Sequence, residues 1–127
     1  MIPLLSRQQH GFTDYSYVPL VAIAPYALGF ANVTPAKWLC IILPLLILGG
    51  SLITRAEWGL LRIMPLKLHL LLDVMVGLVA LSSPWLFGFP DQPVARNTFV
   101  VIGIFGICAG LFTRPEEMPS VRPVTAH

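Results

Sequence analysis

A repetition at a fixed step of 59 residues constrains this chain more than any other feature of its sequence. Gln9 to Phe30 (QHGFTDYSYVPLVAIAPYALGF) and Leu68 to Phe89 (LHLLLDVMVGLVALSSPWLFGF) follow one plan. His10, Asp14, Pro25, Gly29 and Phe30 recur as His69, Asp73, Pro84, Gly88 and Phe89, and Tyr26 is replaced by Trp85. The agreement continues downstream: Ala36, Leu52, Thr54, Arg55 and Glu57 return as Ala95, Leu111, Thr113, Arg114 and Glu116, while Lys37 becomes Arg96. A match sustained at one period predicts a single structural unit used twice. The expected organisation is one domain over 1–127, with repeat 1 at 1–57, repeat 2 at 58–116 and a flexible tail at 117–127.

Composition decides which solvent surrounds that unit. Hydrophobic residues make up 56% of the chain and charged residues 11%, where a soluble domain carries about 25% charged. With a mean hydropathy of +0.78, a chain this short cannot hide its apolar surface from water, and a bilayer is the expected solvent. Four apolar segments of roughly 17–25 residues suit a hydrocarbon layer about 30 Å thick. They are expected at Arg7 to Phe30, Ala36 to Thr54, Pro65 to Phe89 and Arg96 to Thr113. Each unit then crosses twice, both copies share an orientation, and a pseudo-two-fold axis along the membrane normal relates them. The fold expected is an all-α membrane bundle of four transmembrane helices.

Local signals support these boundaries. Ser6-Arg7-Gln8-Gln9 fits a capping box. Pro19 and Pro25 interrupt the first helix, Pro65 suits the first turn of the third, and Gly29 and Gly88 read as helix-terminating glycines. Arg55 to Met64 suits a short interfacial helix or a plain loop equally well. The polar, proline-rich segment from Arg114 onward is expected to be unstructured.

The placement of charge orients the bundle. Arg7, Arg55, Arg62, Lys67, Arg114 and Arg122 fall on one set of connections, and Lys37 and Arg96 on the other. The positive-inside rule puts the first set, and both termini, in the cytoplasm. The expected location is a bacterial inner membrane, with the first apolar segment retained because the chain start lacks a basic leader. A net charge of +2 without a clustered basic face excludes a nucleic-acid partner. Cys40 and Cys108 lie at depths differing by about 13 Å along equivalent helices, too far apart for a disulfide.

The run Ser83-Pro84-Trp85-Leu86-Phe87-Gly88-Phe89, preceded by Asp73 inside a two-helix unit, resembles the SPW repeat family of small bacterial membrane proteins. The resemblance covers nearly the whole chain. Its second half carries the motif intact, and its first half reads Ala24-Pro25-Tyr26, without the serine hydroxyl or the indole N–H. The resemblance implies a fold and a membrane location, and it carries no activity with it.

The polar residues that could bear chemistry are few. His10/Asp14 and His69/Asp73 have a spacing of four, which puts each pair on one helix face. Asp73 lies about 12 Å along its helix from Pro65. A charge at that depth must face the bundle and find a partner, and the histidine one turn away on the same helix is the expected one. Were the first and third helices to face each other, the four side chains would converge. Two imidazoles and two carboxylates can clamp helices by hydrogen bonding, hold a borderline divalent metal, or relay protons. The clamp is the leading reading because no third ligand motif or polar pore stripe accompanies them. No cofactor is expected, a divalent metal being the alternative.

Trp85 with Phe87 and Phe89 reads as an aromatic belt, with Ser82 and Ser83 bonding backbone groups at the Pro84 kink. Gly103, Gly106 and Gly110 offer a flat helix surface for close packing, either within the bundle or against another copy. No phosphate loop, Cys-x-x-Cys pair or nucleophile elbow is present, so soluble-type catalysis has no support. The reading is a non-enzymatic structural or accessory module. Its expected partners are the bilayer, a second copy or a larger membrane complex; the alternative is a proton- or divalent-metal-handling protein.

Overall fold

In this computed structural model, residues 4–118 are described, and they form four helices. These are α1 (Arg7–Ala27), α2 (Thr34–Ile53), α3 (Leu66–Leu86) and α4 (Pro93–Leu111). The helices α1 and α3 each have 21 residues, and their bounds stand 59 positions apart at both ends. Three of the four are long and apolar enough to cross a membrane: α2, α3 and α4. By length α1 matches them, but Gln8, Gln9, His10, Thr13, Asp14 and Ser16 lower the hydropathy of its first half.

The caps explain where each helix starts. The Ser6 hydroxyl accepts from the Gln9 N–H at 3.1 Å, and the Gln9 side chain accepts from the Ser6 N–H at 3.0 Å, completing the capping box. Pro35 and Pro93 lie in the first turns of α2 and α4, where a missing N–H has no partner to lose. Pro93 thus opens α4 three residues before the expected Arg96. Glu117 caps α3 from a distance: its carboxylate accepts from the Leu66 and Lys67 N–H groups at 2.9 and 3.1 Å. The tail is therefore held to the bundle through Glu117 instead of leaving it at Arg114, and its portion from 119 onward lies outside the described residues.

The ends of α1 and α3 account for the spacing within the repeated motif. Gly29 and Gly88 take positive φ, +81° and +77°, the left-handed conformation that glycine adopts without strain. The next residue then folds back, with Phe30 N–H bonding Pro25 O and Phe89 N–H bonding Pro84 O, each at 2.8 Å. This is the six-to-one bond of a Schellman end, and it buries both phenylalanines in the core. Phe89 meets Phe99 edge-on at 5.3 Å, so it is an interior anchor, not part of the expected belt. Trp85, Tyr26 and Phe87 do face outward. The buried Ser83 hydroxyl bonds Val79 O at 2.6 Å, one residue before Ala80, whose carbonyl Pro84 cannot serve.

Helix α1 packs on α2 and α3 on α4, with a lighter contact between α2 and α3. Close approach in the second pair depends on glycines. A Cβ at Gly103 would stand 2.5 Å from Leu81 N, and one at Gly110 would stand 2.7 Å from Leu70 O. Gly106 also faces Gly77. The small surface of α4 is thus spent inside the bundle.

The core at the opposite end from the termini gathers Val21, Phe30, Leu39, Leu43, Ala80, Phe89 and Phe99. At the end nearer the termini, two isolated backbone bridges close the bundle, Leu5 with Thr113 and Thr54 with Met64. Each joins the segment entering one unit's first helix to the residue leaving a second helix, and the two bridges correspond at the 59-residue step. Arg55 to Met64 forms turns and extended backbone, with no helix. Cys40 and Cys108 are free thiols.

Two substitutions test the packing. Gly103→Ala forces methyl against rigid backbone and is expected to destabilise the protein by about 1–3 kcal/mol. Gly49→Ala meets nothing within 4 Å and should leave stability unchanged or raise it by about 0.5–1 kcal/mol through helix propensity. Unfolding in detergent micelles measures both; equal effects would contradict the close α3–α4 contact.

Candidate functional site

His10 and Asp14 lie one turn apart on α1, and His69 and Asp73 correspond to them on α3. All four are buried, and one ligand atom from each lies within 4.8 Å of the others. The shortest contacts cross between helices: His10 Nε2 to Asp73 Oδ2 and His69 Nε2 to Asp14 Oδ2, both 2.7 Å. The same-helix contacts, expected to be primary, are the longer ones at 3.2 Å each. A spacing of four puts two side chains on one face, but the hydrogen-bond vector of an imidazole pointing into the bundle leads to the opposite helix. The two imidazoles meet edge-on, 5.3 Å between centroids.

Behind each histidine stands a threonine that fixes its tautomer. The Thr54 hydroxyl donates its only hydrogen to Gly50 O at 2.5 Å, and that of Thr113 donates to Ala109 O at 2.6 Å. Their oxygens, 2.7 Å from His69 Nδ1 and His10 Nδ1, must therefore accept, so both Nδ1 atoms carry hydrogen. Each Nε2 facing a carboxylate oxygen at 2.7 Å needs one further shared hydrogen. Two Nε2 and two Oδ2 atoms thus alternate around a ring that holds two hydrogens and is neutral overall. Neutrality is what a low-dielectric interior demands of four ionisable groups.

The two halves of the site are not identical. Ser51 donates to Asp14 Oδ2 at 3.1 Å, whereas the position corresponding to it is Gly110. The neighbouring voids are small: 10 Å³ on the side of Trp58, and 20 Å³ beside Tyr17, Val76 and Gly106. Neither exceeds the room of about one water molecule. Among the described residues, no buried side-chain nitrogen or oxygen lacks a hydrogen-bond partner.

Trp58 closes the end nearer the termini. Its indole N–H donates to Gln8 O at 3.1 Å, its own carbonyl accepts from the Tyr15 hydroxyl at 2.7 Å, and its ring covers Gly11. Arg7 holds this connection in place, with Nη2 2.6 Å from Glu57 Oε1 and Nη1 2.9 Å from Glu116 O. The Arg7 guanidinium keeps the Glu57 carboxyl below its usual range. Burial raises the Glu117 carboxyl, but the Leu66 and Lys67 N–H donors outweigh it and leave it lowered.

Sequence reading found the four ring residues and missed Ser51, Trp58 and Glu117. Thr54 and Thr113 were visible as recurring residues, yet nothing local linked them to histidines 15 and 103 positions away. Pro25, Tyr26, Ser83, Pro84 and Trp85 lie towards the other end of the bundle and do not join the ring.

A family model described as the SPW repeat domain matches residues 8–113. No curated protein and no solved structure matches the chain.

A double-mutant cycle tests the crossed geometry. Alanine replacements of His10 and Asp73, singly and together, should show a coupling of about 1–2 kcal/mol, larger than the coupling of His10 with Asp14. A larger same-helix coupling would contradict the 2.7 Å assignments.

Proposed function

The chain belongs to the SPW repeat family, and from that premise we propose that it is a non-enzymatic, multi-pass membrane module whose two duplicated hairpins are clamped together by the His–Asp ring. The observation that carries this reading is the crossing of the two short contacts, His10 to Asp73 and His69 to Asp14. Each hairpin supplies what the other's charge requires, so neither is satisfied alone. Intramembrane polar contacts average only about 0.6 kcal/mol each, but they discriminate strongly between packings.

All four helices cross the bilayer in this reading, α1 included. Its polar residues His10 and Asp14 turn inward to the ring, while Phe12, Leu20 and Ile23 are exposed and suit lipid. On the other helices Leu45, Leu46, Leu71, Met75, Val101 and Ile104 are exposed likewise. Residues 1–57 and 58–116 are the two copies, related about an axis normal to the membrane. The bilayer is a bacterial inner membrane, with Arg7, Arg55, Arg62, Lys67 and Arg114 at its cytoplasmic surface. Any second copy or larger complex meets this outer apolar face, since Gly103, Gly106 and Gly110 are occupied internally.

The small voids favour a static clamp over a conducting path, because neither has room for more than about one water molecule. The double variant His69→Ala/Asp73→Ala should accordingly lose thermal stability or assembly and no catalytic turnover. A variant as stable as the parent would remove the clamp. Reporter domains fused to each terminus should both read cytoplasmic; opposite readings at the two ends would remove the four-span arrangement.

A further inference from the structure

We propose that the clamp is also a binding site for one divalent transition cation, held by His10 Nε2, Asp14 Oδ2, His69 Nε2 and Asp73 Oδ2. This rests on the clamp reading only in requiring that the four side chains meet; the ligand chemistry is a separate claim. Four features of the ring carry it.

The first is size. With edges of 2.7, 3.2, 2.7 and 3.2 Å, the ring's centroid lies at most about 2.1 Å, root mean square, from its four atoms, and zinc bonds histidine nitrogen and carboxylate oxygen at about 2.0–2.2 Å. A tetrahedral cation needs ligand atoms about 3.4 Å apart, so binding opens the two 2.7 Å edges by about 0.7 Å and puckers the ring. The second is ligand type: two imidazoles with two carboxylates suit a borderline cation such as zinc or cobalt, whereas calcium and magnesium prefer oxygen alone.

The third is orientation. Thr54 and Thr113 hold the hydrogen on each Nδ1, which leaves Nε2 as the nitrogen able to ligate. Such hydrogen bonds behind a ligating histidine fix its ring and tautomer at metal sites generally. The fourth is charge. The metal-free ring holds two hydrogens and is neutral. Binding breaks the two hydrogen bridges, forms two nitrogen–metal and two oxygen–metal bonds, and releases two protons to water. Two carboxylates and two neutral imidazoles around a divalent cation are again neutral, so the exchange adds no charge to the membrane interior.

The entry side is set by the void under Trp58, which touches both histidines and Asp14 and is bordered by Arg7, Ala56 and Gly59. Trp58 belongs to the connection between the hairpins, not to a helix, and lines that void.

Cobalt(II) chloride is the probe, added to tag-free, full-length protein in lipid nanodiscs after chelator treatment. The expected result is about one equivalent bound per chain, with the visible absorption of a four-coordinate nitrogen/oxygen site, displaced by zinc chloride. His69→Ala and Asp73→Asn should each reduce uptake to roughly a tenth of an equivalent or less. Absence of that spectrum in folded parent protein, or uptake by both variants equal to the parent's, overturns the proposal. Thermal unfolding in chelator separates the two claims: parent more stable than the His69→Ala/Asp73→Ala variant, but blind to cobalt and zinc, leaves the clamp and removes the metal. If chelated parent and variant unfold alike while the parent alone takes up metal, the clamp fails and the metal site stands.

Discussion

Four ionisable side chains buried in an apolar bundle must neutralise one another, and the fold is arranged around that requirement. An isolated carboxylate or imidazolium at this depth is costly, and each is acceptable here only because an opposite partner lies within hydrogen-bonding distance. The partners sit on different helices. His10 reaches Asp73 and His69 reaches Asp14 at 2.7 Å, so satisfying one charge brings α1 and α3 together and satisfies the other. Threonines from the ends of the remaining helices orient both imidazoles, and all four helical segments thereby converge on one ring.

The two hairpins correspond residue by residue at the 59-residue step, and the ring reflects it: the histidine–aspartate contacts within a hairpin are 3.2 Å, and those between hairpins are 2.7 Å. The same correspondence governs the backbone bridges of Leu5 with Thr113 and Thr54 with Met64, and the Schellman ends at Gly29 and Gly88. At the end nearer the termini the two halves differ. Trp58 covers Gly11 on one side, while at the corresponding positions Glu117 caps α3 and Leu70 is buried. Ser51 supports Asp14, and the matching Gly110 instead lets α4 approach α3. One half thus has a polar contact where the other has closer packing.

Much of this is legible in the sequence. The helices and capping box followed from apolar runs and local hydrogen-bonding chemistry, and the step of 59 put His10 and His69 in equivalent environments. What escaped reading depends on contacts between distant parts of the chain. The identity of each aspartate's nearer histidine follows from side-chain direction across an interface, which spacing along one helix does not encode. Phe89 looked like a belt residue because it follows Trp85 and Phe87, and only the reversal at Gly88 turns it inward. Glu117 looked like solvated tail because its partners, two N–H groups at the start of α3, lie some 50 residues away.

The central claim is that the histidine on each of the helices α1 and α3 bonds the aspartate of the other. Solid-state NMR on the protein in lipid, with labelled histidine nitrogen and aspartate carboxyl carbon, measures it directly when assigned through Asp14→Asn and Asp73→Asn samples. The account predicts a His10 Nε2 to Asp73 Cγ distance of under about 4 Å, as a direct hydrogen bond requires, shorter than the distance to Asp14 Cγ. A His10 nitrogen nearer Asp14, or beyond reach of both carboxyl carbons, would contradict it.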